Sequence, residues 1–125
     1  MIFGIGTDIA AVARLANMYE RHGMAAAEKL LAPAEMADFE KAGDKGRFLA
    51  KRFAAKEAFG KALGTGVRAP ANLPAIAVTH DELGKPLFSY SGELAVLMNT
   101  KGLSAHLSIS DEQDYAVAFV ILEQS

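Results

Sequence analysis

Hydrophobic and polar positions change period several times along the chain. Residues 2–7, Ile-Phe-Gly-Ile-Gly-Thr, alternate as a strand. That alternation puts Ile2, Gly4, Gly6 and Asp8 on one face and Phe3, Ile5, Thr7 and Ile9 on the other. From about Ile9 to His22 the spacing predicts a helix, with Gly23 as its stop. Residues 24–32 and 34–42 read as helical, and Pro33 suits the start of the second segment. Gly43-Asp-Lys-Gly46 is a turn, and a long helix is predicted over 47–63, ending at Gly64-Thr-Gly66. A loop with two prolines covers 67–74. Two strands follow over 75–79 and 86–90, separated by Asp81–Lys85. Ser91 opens a helix to about Lys101. His106–Ser110, a turn at 111–114 and the apolar run Tyr115–Leu122 read as a hairpin. The last strand is expected to be central and buried on both faces. The order predicts an α+β fold, a single compact domain over 1–125 with the long helix against an antiparallel sheet.

The long helix is unusual in cross-section. At 100° per residue, Phe48, Leu49, Phe53, Phe59 and Leu63 fill one arc, and Arg52 and Lys56 fall inside it. The other side carries Ala50, Ala54, Ala55, Ala58 and Ala62, which allow another element to approach closely. The helix is therefore expected to be covered on most sides, and its charges are not a solvated face. Buried charges must be paired or ligated. Two readings stand. One is a structural ion cluster, with Glu57 and Lys61 at i, i+4 and Lys56 adjacent to Glu57. The other is a site that holds a cation and a polyphosphate side by side. In it Asp8 and Glu57 serve a magnesium ion, and Arg52, Lys56 and Lys61 serve phosphates. The Gly64-Thr65-Gly66 turn offers backbone N–H groups to phosphate, or is simply a helix stop. It is not a P-loop, because it follows a helix and lacks the Gly-Lys-Ser/Thr ending. By position alone, Asp8 reads equally as a helix N-cap.

Charge sharpens the second reading. The net charge is −2, yet residues 41–68 hold eight Lys/Arg against Asp44 and Glu57. That segregation points to a local anion site in an acidic protein and away from a nucleic-acid binder. With no cysteine, disulfides and thiolate sites are excluded. The start of the chain lacks a basic leader segment, and no apolar run approaches a membrane span, so a soluble cytoplasmic protein is the default expectation. The three histidines show no ligand spacing. On the first helix, Arg14, Met18 and Arg21 share a face, as a solvated surface or as a dock for an acidic helical partner.

Five stretches carry a family resemblance. They are Gly4-Ile-Gly-Thr-Asp-Ile9, Arg47-Phe-Leu-Ala-Lys-Arg-Phe-Ala-Ala-Lys-Glu-Ala58, Lys61-Ala-Leu-Gly-Thr-Gly66, Gly84-Lys-Pro86, and His106-Leu-Ser-Ile-Ser-Asp-Glu112 followed by Tyr115-Ala-Val-Ala. In this order the chain resembles the holo-[acyl-carrier-protein] synthase family, the small bacterial phosphopantetheinyl transferases. The resemblance implies transfer of 4′-phosphopantetheine from coenzyme A to a serine of apo acyl carrier protein, in support of fatty acid biosynthesis. It implies that Asp8 and Glu57 bind Mg²⁺, with Glu57 and Lys61 catalytic. Arg52, Lys56, Lys61, Gly64, Thr65, Gly66, Lys85 and Pro86 would line the coenzyme surface. Arg14, Met18 and Arg21 would dock the carrier protein. A homotrimer with sites between subunits is implied as well. One departure stands out: Asp111 occupies a place where many members have histidine. Proton acceptor and turn residue both stay open for it, and it is left out of the catalytic set.

Overall fold

The computed structural model describes all 125 residues. Its first element, β1 (Ile2–Ala11), pairs antiparallel with the last, β5 (Tyr115–Gln124). Gly6 lies opposite Val120, Asp8 opposite Ala118, and Ala10 opposite Ala116. β4 (Leu103–Asp111) pairs with the other edge of β5, giving a three-stranded sheet in the order β1-β5-β4. The C-terminal strand is thus central, as its apolar content predicts. A second sheet holds only β2 (Ile76–His80) and β3 (Pro86–Tyr90).

One long helix, α4 (Lys45–Leu63), lies across the three-stranded sheet. Asp44 caps it by accepting from the Arg47 N–H at 3.0 Å, and Gly64 ends it in the left-handed region at φ 91°. Close approach of strand and helix is built into the sequence. A Cβ on Gly4 would land on the Ala62 carbonyl oxygen, and one on Gly6 on that of Ala58. Ala116 and Ala118 of β5 are fully buried, as are Ala54, Ala55 and Ala58 of α4. Small residues therefore line both sides of the helix–sheet contact, as the alanine arc predicts.

Around α4 stand α1 (Val12–His22), α2 (Met24–Leu30), a 3-10 turn at Pro33–Glu35, and α3 (Met36–Lys41). A second 3-10 turn at Leu73–Ala75 precedes β2, and α5 (Gly92–Thr100) joins β3 to β4. Phe39 and Phe59 are the largest core aromatics. Phe39 packs edge-on to Tyr19 and Phe48, and Phe59 packs edge-on to Phe88.

Three expectations are corrected. β1 continues through Asp8 to Ala11, and α1 starts only at Val12, whose N–H donates to the Asp114 carbonyl at 2.9 Å. Asp8 is therefore a strand residue and not a helix cap. The distant partner strand captures the Ile-Ala-Ala segment that local propensity assigns to a helix. Second, helical structure is interrupted earlier than predicted around Pro33, by Leu31 and Ala32. Third, β5 is buried on one face only. Ala116, Ala118, Val120 and Leu122 face α4, while Tyr115, Val117 and Phe119 are exposed.

Candidate active site

Where β1 crosses the last turns of α4, three predicted residues meet. Lys61 Nζ donates to Asp8 Oδ1 at 3.2 Å and to the Thr7 carbonyl at 2.9 Å. Glu57 lies one turn before Lys61 on the same helix. Burial, and after it the Asp8 charge, push the Glu57 carboxyl above its usual range, against the pull of Lys61 and Arg14. The two carboxylates thus repel each other beside the stretch of β1 that glycines hold against the helix.

A cation between them would relieve that repulsion. No third Asp, Glu or His joins to make a complete cage. Two carboxylates with open positions suit Mg²⁺, which keeps waters and takes substrate phosphate oxygens. The donor set on this strand and helix therefore fits that metal and not zinc.

The Gly64-Thr65-Gly66 turn stands directly beyond Lys61, but not as a free row of donors. The Gly64 and Gly66 N–H groups both donate to the Gly60 carbonyl, at 3.1 and 3.0 Å. Gly60 itself must lack a side chain, since a Cβ there would meet the Gly66 backbone at 2.7 Å. The turn folds back on its own helix, with Thr65 exposed at the tip.

Arg52 and Lys56 differ most from the phosphate-binding expectation. Both side chains turn inward onto Glu35, which is fully buried. Arg52 Nη1 donates to Glu35 Oε2 at 2.9 Å and to the Val78 carbonyl at 3.0 Å. Lys56 Nζ donates to Glu35 Oε1 at 2.5 Å and to the Leu30 and Leu73 carbonyls. Its three protons are all committed inside the fold. Burial pulls the Lys56 pKa down, opposed chiefly by the Glu35 carboxylate. The structural ion cluster is therefore real, with Glu35 as its acid and not Glu57. Nothing in the local sequence around Glu35 marks it, because the pairing joins residues on separate elements.

Of the remaining predicted residues, Arg14 lies within electrostatic reach of Glu57 and the others stand apart. Arg14 and Arg21 are exposed on α1, with Met18 half-buried between them. The Arg14 guanidinium stands 5.3 Å from the Phe53 ring centroid, one turn before Glu57 on α4. Lys85 and Pro86 stand on the β2–β3 hairpin, which does not pair with β1. Asp111 is tied to the first turns of α4: Arg47 Nη1 donates to its Oδ2 at 3.0 Å, and Lys51 Nζ is 3.7 Å from Oδ1. Arg47 also donates to the Glu112 and Gln113 carbonyls, so it clamps the whole β4–β5 turn.

Comparison with known proteins bears on this geometry. The pattern of the 4′-phosphopantetheinyl transferase superfamily matches residues 4–120. The chain is 70% identical to the holo-[acyl-carrier-protein] synthase of Dechloromonas aromatica over the whole of both chains. Its structure is similar to that of the holo-[acyl-carrier-protein] synthase of Neisseria meningitidis, with a TM-score of 0.95 at 45% identity over 99% of this chain and 100% of the other. A holo-(acyl-carrier-protein) synthase from Bacillus anthracis, solved in complex with CoA (3′,5′-ADP), matches with a TM-score of 0.84 at 35% identity, over 100% of this chain and 99% of the other. With the motifs spread along its whole length and the same fold throughout, this chain belongs to the 4′-phosphopantetheinyl transferase superfamily, among the holo-[acyl-carrier-protein] synthases.

Proposed function

We propose that this protein transfers 4′-phosphopantetheine from coenzyme A to a serine of apo acyl carrier protein, releasing adenosine 3′,5′-bisphosphate, in a Mg²⁺-dependent reaction. The observation that carries the reading is the meeting of Asp8, Glu57 and Lys61 where β1 crosses α4. The names of the relatives and the coenzyme seen in the Bacillus anthracis protein support it.

Asp8 and Glu57 would hold the metal. When bound, Mg²⁺ supplies electrostatic stabilisation to a diphosphate and its leaving oxygens. Lys61, oriented by the Thr7 carbonyl and Asp8, stabilises or protonates the leaving phosphate. The carrier serine loses its proton as its oxygen attacks phosphorus. Glu57, on the same helix face as Lys61, is the carboxylate placed to take that proton. Gly64-Thr65-Gly66, Lys85 and Pro86 bind the coenzyme, with Thr65 and Lys85 offering the exposed polar side chains among them. Arg14, Met18 and Arg21 dock the acidic carrier. Arg52 and Lys56 hold Glu35 inside the fold instead of touching phosphate.

The outward sheet face supports self-association. Ile9 of β1 lies opposite Val117 of β5, and Ile5 and Phe119 stand on the same outward face, all exposed in the single chain. An apolar face of this extent calls for a partner, and a second and third copy of this chain are proposed, giving the homotrimer the family resemblance implies. No helix is long and apolar enough to cross a membrane, and the proposed work is cytoplasmic.

Intact-protein mass spectrometry of apo acyl carrier protein, incubated with this protein, coenzyme A and Mg²⁺, tests the reading. A mass gain the size of phosphopantetheine is expected, and EDTA abolishes it. Glu57→Gln is expected to remove turnover while leaving the circular dichroism spectrum unchanged. Full activity in that variant would sink the assignment of Glu57, and no mass gain in the parent protein would sink the reaction.

A further inference from the structure

Asp81 opens the five-residue turn between β2 and β3. One oxygen, Oδ1, accepts from the Leu83 N–H and the Lys85 N–H, each at 2.9 Å. The Asp81 N–H donates to the Lys85 carbonyl, and the Gly84 N–H to the Asp81 carbonyl, both at 3.0 Å. Gly84 lies in the left-handed region at φ 87°, which the turn requires. Residues 81–85 are all exposed. No core side chain braces this turn, so its shape rests on the carboxylate and the hydrogen bonds it organises.

We propose that Asp81 is a positioning residue for coenzyme binding, holding the β2–β3 turn in the shape that presents Lys85 to the anionic coenzyme A. The inference rests on the assignment of Lys85 to the coenzyme site made above. A loose turn must be ordered when ligand binds, and that ordering weakens affinity. Asp81 does the ordering beforehand. Charge alone argues the opposite way, because an acid four residues from a coenzyme-binding lysine repels an anionic ligand. The two effects therefore predict opposite signs when Asp81 is removed.

Kinetics of the full-length protein with coenzyme A and apo acyl carrier protein separate them. Asp81→Ala is expected to raise KM for coenzyme A about fivefold, from the loss of two charge-assisted hydrogen bonds in an exposed loop. Its kcat should change less than its KM. Asp81→Asn keeps the Oδ1 acceptor and drops the charge, and is expected to match the parent or bind more tightly. Lys85→Ala should also raise KM, and adding Asp81→Ala to it should do no further harm. An unchanged or lower KM in Asp81→Ala overturns the proposal, as does a double variant whose two effects multiply. If Lys85→Ala leaves KM unchanged, the Lys85 assignment fails and this inference with it. The transfer reaction, read separately as mass gain on the carrier, would still stand.

Discussion

At the scale of single residues, Glu35 carries the most structural weight. Its two oxygens accept from Arg52, Lys56 and the backbone N–H groups of Ala32 and Val78. One carboxylate so ties the α2–α3 connection to α4 and β2. Removing it leaves a guanidinium and an ammonium buried without their acid, a loss of about 3–5 kcal/mol. Glu35→Ala is therefore expected to cut the free energy of urea unfolding by that amount. Lys56→Met should cost less, because Glu35 keeps Arg52 and both N–H donors. A Glu35→Ala protein as stable as the parent would show that the cluster holds nothing together. The helical wheel of 47–63 reveals that Arg52 and Lys56 cannot point to water. It does not reveal their partner, since an ion pair across separate elements leaves no periodic trace in sequence.

Among elements, the contact of β1 with α4 decides whether a site exists. Asp8 comes from the strand, Glu57 and Lys61 from the helix, and Gly4 and Gly6 set the distance between them. Gly6→Ala puts a methyl group on the Ala58 carbonyl oxygen, so backbone must move. Overpacking of this kind costs about 1–3 kcal/mol. A lower melting temperature is expected, together with a fall in kcat/KM of more than about tenfold, since small misplacements of catalytic groups have effects of that size. An active Gly6→Ala enzyme with unchanged kinetics would mean that the strand–helix distance is not critical. The glycine and alanine patterns make this approach readable in advance. The extension of β1 to Ala11 is not readable, because Ile-Ala-Ala favours a helix until β5 pairs with it.

For the molecule as a whole, the sheet has one face on α4 and one face outward. Tyr115, Val117 and Phe119 alternate with the buried Ala116, Ala118 and Val120. Alternation of two apolar sets made β5 look buried on both sides, and within one chain only one side is covered. Phe119→Glu places a charge in the middle of the proposed contact between copies. Size-exclusion chromatography with light scattering is expected to show the parent as a trimer and this variant as a monomer, with transfer activity lost alongside. A parent protein that elutes as a monomer would remove the homotrimer from the reading. By itself, the sequence determined the α+β order, the central last strand, the close helix–sheet approach and the identity of Asp8, Glu57 and Lys61 as candidates. Each of these follows from local periodicity, from small residues, or from motifs whose members stand close in sequence. Only the tertiary structure decided that Asp8 is a strand residue paired to Lys61, that Arg52 and Lys56 serve Glu35, and that Asp111 is clamped by Arg47. Those outcomes depend on which distant side chains the packing of separate elements brings together, and a charge as buried as Glu35 must find its partners there.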